Sequence, residues 1–98
     1  MRSNYNDYNY RKTALDAVLN VVDRGIKMLS VDLTEDMFQT WFKYSREILE
    51  IVTKDNPAIL INYLEFYMTM TLLGSQDTRP YNKLRQCTEY LLEAAKRM

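Results

Sequence analysis

The sequence predicts an all-α fold, a compact bundle of four helices behind an irregular N-terminal arm. Three observations carry this expectation. The 98 residues include only 2 Gly and 2 Pro, which argues for long regular elements and few tight turns. Apolar residues recur with a helical period in four segments, at about 11–30, 35–54, 57–73 and 79–97. The junctions between those segments carry residues that stop one helix and start the next. A chain of this length makes one domain. Residues 11–98 are therefore read as a single helical domain and residues 1–10 as a mobile arm.

The arm, MRSNYNDYNY, is rich in Asn and Tyr and lacks Ala, Val, Ile and Leu. It has little to bury, and Asn and Asp side chains compete with helical backbone hydrogen bonds. An irregular segment is expected. Its three tyrosines, Tyr5, Tyr8 and Tyr10, either pack down on the domain or form a contact arm. In the first helix, 11–30, Leu15, Val18, Leu19, Val22, Ile26 and Leu29 form one stripe, opposite Asp16, Asn20, Asp23 and Lys27. Gly25 costs about 1 kcal/mol relative to Ala inside a helix. It is either a weak point or a place where a neighbouring helix comes close.

Residues 31–33 form a connection. Thr34 is expected to cap the second helix, with Glu35 and Asp36 in the first turn, where the helix dipole favours negative charge. Capping accounts for the acidic group Asp32, Glu35 and Asp36 without a metal ion. In the second helix, 35–54, Phe38, Trp41, Phe42, Ser45, Ile48, Leu49 and Val52 share a face. Its aromatics read as core, with a binding patch as the alternative.

Asp55-Asn56-Pro57 ends that helix and begins the third, which runs to Leu73, with Gly74 placed as its C-cap. Residues 57–73, PAILINYLEFYMTMTLL, carry one charge, Glu65. Ile59, Leu60, Tyr63, Tyr67 and Met70 form one apolar stripe, and Ile61, Leu64, Met68 and Leu72 form another. Only Asn62, Glu65 and Thr69 make a polar line between them. Either this helix is central and wrapped by the other three, or its second stripe pairs with a copy of itself in a homodimer. At 1.5 Å per residue the segment is about 26 Å long, short for a bilayer, and with its polar residues it is read as having no membrane partner. A strand over 59–71 loses to the Pro start, the Gly stop and the length. Asp77 or Thr78 is expected to cap the fourth helix, 79–97. Tyr81, Leu84, Thr88, Leu91, Ala95 and Met98 fall on its buried side, widened by Cys87, Leu92 and Ala94.

The chain has 13 acidic and 13 basic residues and no net charge. Nucleic-acid binders usually carry a basic excess. There is no His, and Cys87 is the single cysteine. A zinc set, a Cys–His nucleophile and an internal disulfide are thus ruled out. The two isolated glycines make no phosphate loop. No catalytic residue, cofactor or metal site is expected, and a lone thiol fits a reducing cytoplasm.

A non-catalytic protein-interaction module is therefore the expected function, such as a small regulator or inhibitor of the phage or mobile-element type. Its partner is a protein of unknown identity or a second copy of the chain. The candidate interface residues are Tyr63, Phe66 and Tyr67 in the third helix and Tyr5, Tyr8 and Tyr10 in the arm. The alternative is a nucleic-acid-binding accessory protein using Arg2, Arg11, Lys12, Arg79 and Lys83, with basic side chains beside stacking tyrosines.

Overall fold

The structure, a computed structural model, describes residues 2–72 and 79–97, with side chains described from Lys12 onward. It contains four α-helices and, among the described residues, no strand. These are α1 (Arg2–Met28), α2 (Glu35–Val52), α3 (Ala58–Leu72) and α4 (Pro80–Lys96). The chain is an all-α four-helix bundle, and α2, α3 and α4 begin and end within two residues of the boundaries read from the sequence.

The N-terminal segment departs from expectation. Residues 2–10 belong to α1 and do not form an irregular arm. They contain neither Gly nor Pro, and a disfavoured residue such as Asn costs at most about 0.7 kcal/mol against Ala. Extending a helix that is already nucleated gains a hydrogen bond for each residue fixed. The side chains of Tyr5, Tyr8 and Tyr10 lie outside the described ones, as do those of Arg2 and Arg11.

Each helix turns a defined face inward. On α1 the buried positions are Ala14, Val18, Val21, Val22 and Gly25. The buried stripe is rotated from the one read in the sequence, which leaves Leu19 and Ile26 at the exposed edge. Gly25 sets that rotation. A Cβ there would lie 3.0 Å from Cζ2 of Trp41 and closer still to the Thr88 methyl. Without one, the Trp41 indole lies against the α1 backbone, and its Nε1 donates to the Val21 carbonyl at 3.0 Å. Gly25 is thus the point where α1, α2 and α4 meet.

α2 buries Phe38, Trp41, Phe42, Ser45 and Leu49, all on the expected face. Thr34 caps it as expected, accepting a hydrogen bond from the Met37 amide at 3.2 Å. On α4 the buried set is Lys83, Leu84, Cys87, Thr88, Leu91 and Ala95. Tyr81 and Leu92 are exposed instead. The N-cap position of α4 is Arg79, with no side-chain capping bond. Asp77, Thr78 and Met98 lie outside the described residues.

The helices pair unequally. Among the described residues, α1 packs on α4 and α2, α2 also touches α4, and α3 packs on α2 and α4. Of the two alternatives for α3, the described contacts do not show a helix wrapped by the other three: α3 packs on α2 and α4 and adds Tyr63 and Met70 to the core it shares with α1, α2 and α4.

Lys83, read as an exposed basic residue, is buried. Its Nζ donates to both Glu35 carboxylate oxygens, at 2.7 and 2.9 Å, and sits 5.0 Å above the Phe38 ring. This joins the first turn of α4 to that of α2. Burial pulls the Glu35 carboxyl upward, but hydrogen bonds from Lys83 and Gln39 and the Lys83 charge outweigh it, so the pKa is lowered. A carboxyl with a depressed folded pKa stabilises the fold above its unfolded pKa and loses that contribution as pH falls through the folded one. Glu35 is about half exposed, so solvent screening reduces the gain. Glu35→Gln is expected to lower stability by about 1 kcal/mol at neutral pH. Thermal melts of both proteins should converge as the pH drops below about 4. A gap that persists unchanged at pH 3 would show that packing, not charge, makes the contact.

Candidate functional surface on the third helix

α3 is built from two apolar stripes, and the structure assigns them different tasks. The inward stripe is aromatic. Tyr63 is fully buried, its ring 5.3 Å from Phe42 and 5.8 Å from Tyr90. Ser45 Oγ donates to the Phe42 carbonyl at 2.6 Å, so the Tyr63 hydroxyl donates to Ser45 Oγ at 2.9 Å. Tyr67 stacks on Phe42 at 4.2 Å and accepts a hydrogen bond from Gln39 at 3.2 Å. Phe66 stacks on Tyr90 at 4.6 Å.

These three aromatics were the candidate interface residues on α3. Their contacts bind the helix to α2 and α4. Tyr63 presents nothing to a partner, and Phe66 and Tyr67 are half-buried. Aromatic rings carry the largest burial gain of any side chain, which is why the bundle takes them inward.

The outward stripe is aliphatic and was not singled out as a site. Ile61 is 51% exposed, Met68 54% and Leu72 72%. Leu64 lies beside them, partly buried. Glu65 is the only charged residue on α3, and with the exposed Asn62 and Thr69 it forms the polar rim. The signal that identifies this stripe is in the sequence: it has the same i, i+3, i+7, i+11 spacing as a core stripe. What hides it is that spacing alone does not say which of two apolar faces a bundle covers.

A second apolar opening lies between α1 and α2. Met28, Met37, Trp41 and Tyr44 line a cleft of about 600 Å³. Arg24 stands at its edge, its guanidinium 5.1 Å from the centre of the Tyr44 ring.

Of the basic residues of the nucleic-acid reading, Lys12, Arg79 and Lys83 have described side chains. Lys12 is exposed in the middle of α1, and Arg79 is exposed just before α4. Lys83 is withdrawn into its pair with Glu35.

The Cys87 thiol and the Tyr63 phenol are sealed in the core. Burial pushes the Cys87 thiol up to about 12, against partial relief from a Tyr63 hydrogen bond and the Lys83 charge. Burial also drives the Tyr63 phenol upward. Among the described residues no group of three or more His, Cys, Asp and Glu side chains is placed to hold a metal ion. No helix among them is long and apolar enough to cross a membrane. No protein-family model, curated protein or solved structure matches this chain.

Proposed function

We propose that this chain is a non-catalytic protein-interaction module that docks through the outer face of α3. It acts as a small regulator or inhibitor by occupying a protein surface, in the manner of small phage or mobile-element proteins. One observation carries this reading: Ile61, Met68 and Leu72 stand exposed in line on the most apolar helix, which among the described residues packs on α2 and α4. Fully burying such a side chain is worth roughly 1.5–3 kcal/mol, so covering the stripe favours association. The partner is a larger protein or a second copy of the chain. A cytoplasmic setting suits the lone buried thiol of Cys87.

The absence of His from the chain and the sealed Cys87 and Tyr63 favour binding over catalysis. The nucleic-acid alternative, with Arg2, Arg11, Lys12, Arg79 and Lys83, is disfavoured by the pairing of buried Lys83 with Glu35.

The test is affinity capture from the native host's lysate, with and without nuclease, comparing wild type with the double variant Met68→Glu/Leu72→Glu. Both side chains are more than half exposed, so the melting temperature of the variant should stay within a degree or two of wild type. The expected result is one stoichiometric protein that survives nuclease and is lost with the double variant. Capture that the variant leaves intact would place the docking surface elsewhere on the bundle.

A further inference from the structure

The cleft between α1 and α2 differs from the outer face of α3 in being concave and in carrying a charge at each end. Its floor is fixed. Trp41 is buried, its indole is tied to the Val21 carbonyl, and it rests against the α1 backbone at Gly25, where no side chain intervenes. Met28 and Met37 border the floor, with unbranched side chains that adapt to what lies between them. One end is formed by Tyr44, with the Arg24 guanidinium 5.1 Å from its ring centre. The other end is formed by Asp36 in the first turn of α2. Asp36 precedes Tyr44 by eight residues, which places the two about 12 Å apart along the helix.

Size selects a small molecule. The volume of about 600 Å³ lies within the ~300–1,000 Å³ of ligand pockets. A docked helix needs anchors over about three turns, roughly 16 Å, which is more than this cleft offers. Charge selects the end group. Arg24 is exposed, and among the described residues no carboxylate pairs with it. Its neighbour Asp23 is held by Lys27 at 3.0 Å. A guanidinium can fork a carboxylate through two parallel N–H bonds while it lies over an aromatic ring. Asp36 repels an anion at the far end, so the acidic group is single and belongs at the Arg24 end. Trp41 and Tyr44 favour a planar ring as the body. We infer that the cleft between α1 and α2 binds a small aromatic monocarboxylate, its carboxylate on Arg24 and its ring above Trp41 between Met28 and Met37.

NMR of the full, isotope-labelled chain tests this, with naphthoate as the probe. Trp41 is the only tryptophan, so its indole N–H is a single marker of the cleft floor, and the Met28 and Met37 methyls mark its sides. All three signals should shift saturably, with a dissociation constant of roughly 0.1–1 mM. The uncharged naphthamide, of the same shape, should bind about tenfold more weakly. Arg24→Gln should bring naphthoate down to the level of naphthamide and leave naphthamide binding unchanged. Arg24 is exposed, so this variant should melt within a few degrees of wild type. Asp36→Asn removes the opposing charge and should keep or tighten naphthoate binding.

Cleft signals that stay still at about 5 mM naphthoate overturn the site. Naphthamide that binds as tightly as naphthoate, or naphthoate binding that Arg24→Gln leaves intact, overturns recognition of the carboxylate by Arg24. Shifts confined to Met68 and Leu72 put the probe on α3 and overturn the assignment to the cleft. Weaker naphthoate binding by Asp36→Asn overturns the orientation.

Discussion

Replacing Tyr63 with Ala is expected to cost about 3–5 kcal/mol of folding stability. Tyr63 is the largest of the fully buried side chains. Its ring fills the space between Phe42 on α2 and Tyr90 on α4, and its removal leaves a cavity that α3 cannot collapse into without losing its Phe66 and Tyr67 stacks. A single domain of about 100 residues has roughly 5–15 kcal/mol in all, so the Ala variant should lose a large share of its stability. Tyr63→Phe keeps the ring and removes the hydroxyl that bonds to Ser45 and Cys87, while the Ser45 hydroxyl still donates to the Phe42 carbonyl. About 1 kcal/mol is expected for that change. Urea denaturation followed by circular dichroism separates the two. If Tyr63→Ala kept wild-type stability and lost only partner binding, the residue would belong to an interface and this packing would be wrong.

Gly25→Ala is expected to destabilise the bundle by about 1–3 kcal/mol, although Gly to Ala inside a helix ordinarily gains about 1 kcal/mol. The added methyl meets the Thr88 methyl and the Trp41 ring, and neither is free to move. Thr88 donates its hydroxyl to the Arg85 carbonyl at 2.8 Å, and Trp41 is held by the Val21 carbonyl. Thr88→Ser removes the obstructing methyl and keeps the hydroxyl. Combined with Gly25→Ala it should recover much of the loss, and a double-mutant cycle should return a coupling of about 1 kcal/mol or more. A Gly25→Ala protein that melts above wild type would show that α1 crosses α2 and α4 less closely than described here.

Both results turn on contacts between helices, and that is where the sequence and the structure divide. The core face of α2 was legible because Phe38, Trp41, Phe42, Ser45 and Leu49 repeat at helical spacing between a capping Thr34 and polar neighbours, and one amphipathic helix has one way to bury its face. Cap, Pro and Gly signals placed α2, α3 and α4 for the same local reason. The helical state of residues 2–10 was not legible, because Asn and Asp propensities are weak and elongation from α1 overrides them.

At the candidate site the sequence determined that α3 has two apolar stripes, that Glu65 is its only charge, and that no His is at hand. It did not determine which stripe faces water. Tyr63, Phe66 and Tyr67 read as contact residues because exposed aromatics make strong interfaces. The fold turned them inward because larger rings gain more from burial. Likewise the buried position of Lys83 depends on Glu35, 48 residues away, and the space at Gly25 depends on Thr88 and Trp41. Periodicity records how a helix is divided into faces. Which face is covered, and by what, is a property of neighbours distant in the chain, and only the tertiary structure decided it.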